Sequence, residues 1–117
     1  QNKPLTVFGN GEQTRDFVYA GDIAQAAAKA VALTGYNVIN ISTGKETSLN
    51  SLLDAFKSAC GHELTVNYAP TRSGDIFRSV LSNKKLEALL GFVPQMDIEH
   101  GIPKTYNDYL ARRKEGL

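Results

Sequence analysis

One short loop carries the side chains best suited to binding an anion. Residues 70–75 read Pro-Thr-Arg-Ser-Gly-Asp and place Arg72 and Asp75 three positions apart. A planar guanidinium matches a phosphate or a carboxylate, and a carboxylate accepts hydrogen bonds from a pair of sugar hydroxyls. Pro70 ends the preceding strand-like run, and Gly74 permits a backbone conformation that other residues reach only with strain. The loop indicates an anion or sugar site, and the alternative is a solvated Arg–Asp ion pair at the surface.

A second arginine, Arg15, follows the Gly9-Asn10-Gly11 turn. Two arginines from separate loops could hold a diphosphate, because each charge-assisted contact contributes roughly 1.5–3 kcal/mol. Arg78 is a further cation shortly after the loop. The residues by themselves predict an anion site and no particular reaction.

Other chemically capable residues do not form a catalytic or metal-binding pattern. His62 and His100 are isolated, with no second histidine or cysteine at ligand spacing. No arrangement of serine, histidine and aspartate indicates nucleophilic catalysis. Gly9-Asn10-Gly11 lacks the third glycine and the following helix of a dinucleotide fingerprint. Cys60 falls at an apolar helix position, which favours a packing role.

The composition is that of an ordinary globular domain, or of part of one. A net charge of +1 gives no support for a nucleic-acid or membrane surface. A single cysteine excludes an internal disulfide and fits a reducing compartment, and no apolar run is long enough to span a membrane. We therefore expect a cytoplasmic protein. Because the chain begins at Gln1 and enters a strand-like run almost at once, it resembles the later part of a longer protein.

The residue patterns predict an α/β arrangement of short strands and about four helices. Strands are expected at 5–8, 15–19, 38–41, 64–68 and 76–80, the third apolar enough to be buried on both faces. Helices are expected from Asp22 to about residue 34, from a cap at Thr47 or Ser48 to Cys60, from a cap at Ser82 or Asn83 to Leu90, and from a cap at Asp97. Pro103 should bend the last helix or delay its start. The predicted apolar stripes are Ile23, Ala27, Ala30 and Val31; Leu49, Leu52, Leu53, Phe56 and Cys60; Leu86, Leu89 and Leu90; and Ile98, Ile102, Tyr106 and Leu110.

The order of the motifs resembles the extended short-chain dehydrogenases/reductases that act on nucleotide sugars, and UDP-glucose 4-epimerase-like proteins in particular. The similar stretches are residues 4–11, 13–19, 40–48, 72–75, 90–94 and 99–102, which cover essentially the whole chain in order. Ala20, Ser42 and Ser73 stand where this family commonly has valine, glycine and proline.

The resemblance implies a role for each of five residues. Arg15 and Arg72 would hold the diphosphate of an NDP-sugar, most simply a UDP-sugar. Asp75 would bind the ribose hydroxyls, and Thr6 and Phe8 would lie against the base. Asp16 would fix the turn between a strand and a helix, and Arg78 would remain at the surface.

Two motifs of the family are missing from this sequence. There is no glycine-rich NAD loop, and no tyrosine is followed by a lysine four residues later. We therefore expect NAD in the parent enzyme, none on this chain alone, and no catalytic residue or metal site here. On this interpretation residues 1–117 are the C-terminal substrate-binding portion of an NAD-dependent nucleotide-sugar epimerase or dehydratase, without activity by itself.

Two alternatives remain at this point: a stand-alone nucleotide-binding or protein-interaction module, and a folded remnant without a ligand. The family comparison also implies that residues 22–41 would normally pack on an absent Rossmann domain. The exposed apolar surface that this leaves predicts self-association.

Overall fold

The computed structural model describes residues 3–114, and Gln1, on which the interpretation as part of a longer protein rests, lies outside them. Within this range the chain forms four helices and four short strands, which is the predicted fold class. The strands are β1 (Leu5–Phe8), β2 (Thr14–Arg15), β3 (Thr47–Ser48) and β4 (Val66–Ala69). The helices are α1 (Ala20–Ala30), α2 (Leu49–Cys60), α3 (Lys84–Leu90) and α4 (Ile98–Lys114). None of these helices has the length and apolar character needed to cross a membrane.

The strands form two small sheets. β1 pairs with β4 in parallel, with Leu5 opposite Val66 and Phe8 opposite Ala69. β4 ends at Ala69, directly before Pro70, as the sequence predicts. Because parallel strands end at the same edge, the loops after β1 and after β4 emerge side by side. The second sheet joins β2 to β3 in antiparallel register, with Arg15 opposite Thr47.

Local signals set the ends of α2 and α4. The Ser48 Oγ accepts a hydrogen bond from the Ser51 backbone N–H at 3.1 Å, and Gly61 ends α2 in the left-handed conformation with φ 69°. The Asp97 carboxylate accepts from the His100 N–H at 2.9 Å at the start of α4. Pro103 lies inside α4 and does not delay its start. The predicted stripes of both helices are partly buried, and the two helices pack against each other.

A small apolar core lies between α1 and α3. Ala26 and Leu86 are fully buried, and Phe92 is 7% exposed. Ile39 and Ile41 pack against this cluster. The core is small enough that each of its side chains matters to stability.

A buried carboxylate, which the sequence did not single out, connects α1 to the segment before α4. Asp22 is 8% exposed and accepts hydrogen bonds from the backbone N–H groups of Gln95 at 3.0 Å and Met96 at 2.9 Å. These two donors satisfy the charge that burial would otherwise penalise.

Several predicted extended segments are not strands in the structure. Residues 38–41 and 76–80 are outside any ladder, and only Arg15 of the predicted strand 15–19 is in one. A strand requires a hydrogen-bonded neighbour, and neither sheet of the described chain extends to these segments. The segment 38–41 is also not buried on both faces, because Val38 is 62% exposed.

The predicted apolar stripe of α1 is confirmed only at Ala30, which is half-buried, and the predicted bounds of the helix are wrong. The helix begins at Ala20 rather than Asp22 and ends at Ala30, and its inward face carries Asp22 and Ala26. Ile23 and Val31 are exposed, whereas Asp22 and Ala26, four positions apart, share the buried face of the helix.

The sequence predictions for α3 are partly confirmed. Leu86 is buried and Leu90 is half-buried, whereas Leu89 is 40% exposed. Asn83 occupies the position before the helix, but its side chain makes no capping hydrogen bond. Its amide donates instead to the Thr43 carbonyl at 3.2 Å, so Asn83 fixes a neighbouring loop.

Candidate functional site

Two of the predicted site residues are in direct contact at the end of β1. The Arg72 guanidinium carbon lies 3.6 Å from the centroid of the Phe8 ring, which is a cation–π contact. Val7 is buried, so Thr6 and Phe8 lie on the opposite face of the strand, and Thr6 is exposed. Because a guanidinium carries its N–H donors in its own plane, a stacked Arg72 directs them past the edge of the ring.

The loop after β4 turns sharply between Arg72 and Asp75. The Asp75 N–H donates to the Arg72 carbonyl at 3.3 Å, and Gly74 has φ 83°, in the left-handed region that favours glycine. Both charged side chains are exposed. Of the ion pairs found within residues 3–114, none joins Arg72 to Asp75. Arg72 is thus positioned by an aromatic ring rather than by its neighbouring carboxylate.

Arg15 is anchored to two separate segments. Its Nη1 donates to the carbonyls of Thr14 and Ile76, both at 2.7 Å. The Thr14 N–H also donates to the Phe77 carbonyl at 2.8 Å. The Arg15 Nε and Nη2 have no hydrogen-bond partner among the described residues and remain available to an anion. The structure therefore holds Arg15 beside the segment that directly follows Asp75.

An open groove adjoins these residues, and it was not anticipated from the sequence. Its volume is about 640 Å³, and its lining residues are Gly9, Asn10, Tyr68, Ala69, Pro70, Thr71 and Phe77. Tyr68 and Phe77 are each 57% exposed. Aromatic faces of this kind suit a planar or sugar ring. The groove forms where the loop after β1 lies beside the loop after β4, which are about 60 residues apart in the chain, so no local spacing indicated it.

Arg78 is exposed, as predicted for a surface residue, and it is paired with a carboxylate. Its Nε donates to Glu46 Oε1 at 2.9 Å, and its Nη2 pairs with Glu46 Oε2. The Thr14 Oγ1 donates to the same Glu46 Oε1 at 2.8 Å. These hydrogen bonds lower the pKa of Glu46 from 4.5 to about 2, and the bond from Arg78 contributes more than the bond from Thr14. Sequence reasoning missed Glu46 because its partners lie 32 residues away on either side.

The lowered pKa of Glu46 predicts a pH dependence of folding stability. The pKa is lower in the folded than in the unfolded chain, so the Glu46–Arg78 pair contributes stability that is fully present above about pH 4.5 and lost as the pH falls towards 2. A carbon-13 titration of the Glu46 carboxyl measures this pKa directly. The variant R78A should move it up towards 4.5, whereas R112A, which breaks the Asp108 pair on α4, should leave it unchanged. A Glu46 that titrates near 4.5 in the unmodified protein would contradict the geometry.

Asp16 has a structural role, but in a different place from the one expected. Its Oδ1 accepts from the Thr43 N–H at 2.9 Å and the Thr43 Oγ1 at 2.6 Å, and its Oδ2 accepts from the Gly44 N–H at 3.0 Å. Asp16 thus fixes the loop that leads into β3 rather than the turn between a strand and a helix.

The described residues do not form a binding site that fits a dinucleotide or a metal ion. No glycine turn within residues 3–114 leads from a strand directly into a helix, which is the geometry that holds a pyrophosphate in dinucleotide folds. The same residues contain no cluster of three His, Cys, Asp or Glu side chains placed to hold a metal ion. The arrangement can bind an anion and orient it.

Comparison with known proteins identifies similar chains. The sequence model of the GDP-mannose 4,6 dehydratase family matches residues 1–105. A candidate UDP-glucose 4-epimerase of Methanocaldococcus jannaschii is 43% identical over 108 residues, which is 92% of this chain and 34% of that protein. The chain thus spans about a third of the length of the curated relatives it matches.

Solved structures show the same similarity in three dimensions. UDP-glucose 4-epimerase of Thermotoga maritima, crystallised with UDP-glucose, is 31% identical with a TM-score of 0.84, covering 93% of this chain and 36% of that one. UDP-glucuronic acid 4-epimerase of Bacillus cereus, in complex with UDP-glucuronic acid and NAD, is 27% identical with a TM-score of 0.83, covering 95% and 36%.

Proposed function

This chain belongs to the GDP-mannose 4,6 dehydratase family of extended short-chain dehydrogenases/reductases, and on that premise we propose that it is the nucleotide-sugar-binding portion of an NAD-dependent UDP-sugar epimerase. Two observations support this proposal: Arg72 contacts Phe8 at the end of β1, and Arg15 is bonded to the carbonyl of Ile76, the residue that directly follows Asp75. Similar chains of known structure were crystallised with UDP-glucose and UDP-glucuronic acid, which supports a UDP-sugar as the ligand.

Each residue of the site then has a distinct task. The free N–H donors of Arg15 and the outward-directed donors of Arg72 would bind the diphosphate with charge-assisted hydrogen bonds. The Asp75 carboxylate would accept hydrogen bonds from the ribose hydroxyls, and Thr6 and Phe8 would lie against the base. These contacts are remote from the reacting sugar, so they would supply affinity and orientation rather than chemistry.

The hydride acceptor would be held elsewhere in the parent enzyme. An NAD cofactor would supply the hydride chemistry in that part of the enzyme, and the residues described here do not fit its pyrophosphate. We therefore propose that this chain alone binds the nucleotide sugar without converting it.

The exposed apolar residues in the segment after α1 suggest where the remainder of such an enzyme would pack. Val31 is 85% exposed, Tyr36 92% and Val38 62%. We propose that residues 22–41 form this packing surface and that the isolated chain associates with itself through it. Light scattering should show a mass that rises with concentration, and the double variant V31S/V38S should lower it. A constant monomer mass at high concentration would contradict this proposal.

Calorimetric titration tests the proposed function. UDP should bind saturably, uridine should bind much more weakly because it lacks the diphosphate that the two arginines contact, and NAD should not compete with UDP. The absence of heat with UDP, together with a folded protein by circular dichroism, would reject the proposal. Equal affinity for UDP and uridine would reject the assigned roles of the arginines.

A further inference from the structure

The Glu46 carboxylate connects the two segments that anchor Arg15. Glu46 directly precedes β3, in which Thr47 lies opposite Arg15. The Glu46 carboxylate accepts from the Thr14 Oγ1 on β2 and from the Arg78 guanidinium just beyond residues 76–77. We propose that Glu46 is a positioning residue that holds Arg15 in the orientation for diphosphate binding. This inference rests on the proposed function.

Arg15 is held between two segments of the chain. The Arg15 Nη1 donates to the carbonyl of Thr14 on β2 and to the carbonyl of Ile76 in the segment that follows Asp75. The orientation of the Arg15 side chain therefore depends on the separation of β2 from that segment. One backbone hydrogen bond, from Thr14 to Phe77, fixes that separation directly. Glu46 adds two further connections, one to each segment.

The segment around Ile76 needs such an external connection. It is outside any strand, and Ile76 and Phe77 are 63% and 57% exposed, so little apolar burial fixes it. The Glu46 side chain, in contrast, is 24% exposed and lies next to a paired strand. Two nitrogens of Arg78 donate to the two carboxylate oxygens of Glu46. This paired geometry fixes the relative orientation of the two side chains as well as their separation.

The Glu46–Arg78 pair also influences which cations an anion meets at this site. Arg78 already has Glu46 as its counter-ion, whereas Arg15 and Arg72 have no carboxylate partner among the described residues. A diphosphate would therefore meet two unneutralised guanidinium groups and one neutralised one. Removing Glu46 would loosen Arg15 and also release a competing cation.

A double-mutant cycle on UDP binding separates positioning from a general effect on the fold. We expect E46A to weaken UDP binding about tenfold in the unmodified protein. In an R15A background the same substitution should weaken it less than about twofold, because the effects of substituting two residues that act through one another are not additive. The control E63A, which removes the exposed partner of Lys57, should leave the affinity unchanged. An unchanged affinity in E46A, or an equal loss in both backgrounds, would overturn the inference.

A ligand-free readout keeps this test separate from that of the proposed function. If the unmodified chain fails to bind UDP, the proposed function fails, but the orientation of Arg15 is still measurable by guanidinium NMR. We expect separate Nη1 and Nη2 signals for Arg15 in the unmodified protein and a single averaged signal in E46A. The isosteric E46Q, which keeps an acceptor for Thr14, serves if E46A does not fold and should shift the signals in the same direction. Two resolved signals in a folded E46A or E46Q would overturn the inference.

Discussion

Replacing Arg72 by alanine is expected to weaken UDP binding by roughly ten- to a hundredfold, the loss that follows from one charge-assisted hydrogen bond. Arg72 is exposed and stacks on Phe8, so its removal deletes a cation without opening a cavity. The free energy of unfolding should therefore change little. Calorimetric titration of UDP into R72A, beside a urea unfolding curve, measures both quantities.

Two further variants make this result specific. R112A removes an equally exposed arginine, in a pair with Asp108 on α4, and should not alter UDP affinity. F8L removes the aromatic face under Arg72 but keeps the charge, so its loss should be smaller than that of R72A. Equal affinities of R72A and the unmodified protein would remove Arg72 from the binding site.

Replacing Leu86 by alanine is expected to lower the free energy of unfolding by about 2–5 kcal/mol, because the truncation leaves a cavity among buried side chains. Leu86 is fully buried and lies in the core cluster with Ala26 and Phe92. Stabilities of small domains are only about 5–15 kcal/mol, so this single change should remove a large part of the total. Urea denaturation followed by circular dichroism measures it.

The matched control for this variant lies on the same helix. L89A removes the same atoms from a side chain that is 40% exposed, and it should cost less than about 1 kcal/mol. If both leucines proved equally important, the core would not lie where α1 meets α3. If neither mattered, the chain would not have a packed core at all.

The parts of the fold that the sequence predicted are those with local causes. The cap at Ser48, the left-handed Gly61 and the cap at Asp97 each depend on residues within one helical turn. The end of β4 before Pro70 follows from a missing backbone donor and a restricted preceding residue. Such signals are readable because the interacting groups are adjacent in the chain.

The parts that the sequence did not predict depend on distant partners. Asp22 is buried only because Gln95 and Met96 supply backbone donors more than 70 residues later. The inward face of α1 carries Asp22 and Ala26 rather than Ile23, which helical periodicity of apolar residues does not predict. The motifs predict Arg15 and Arg72 as site residues, but they do not predict Glu46, whose contacts are with the distant Arg78 and Thr14.

The most direct test of the proposed UDP-sugar site is a UDP titration followed by amide chemical shifts in a labelled sample of this chain. We expect saturable shifts centred on Phe8, Arg15, Arg72 and Asp75, with smaller shifts around Glu46 and Arg78. A well-dispersed spectrum that UDP leaves unchanged would contradict this expectation. Saturable shifts confined to a different surface, such as the helix α4 beyond residue 104, would contradict it equally.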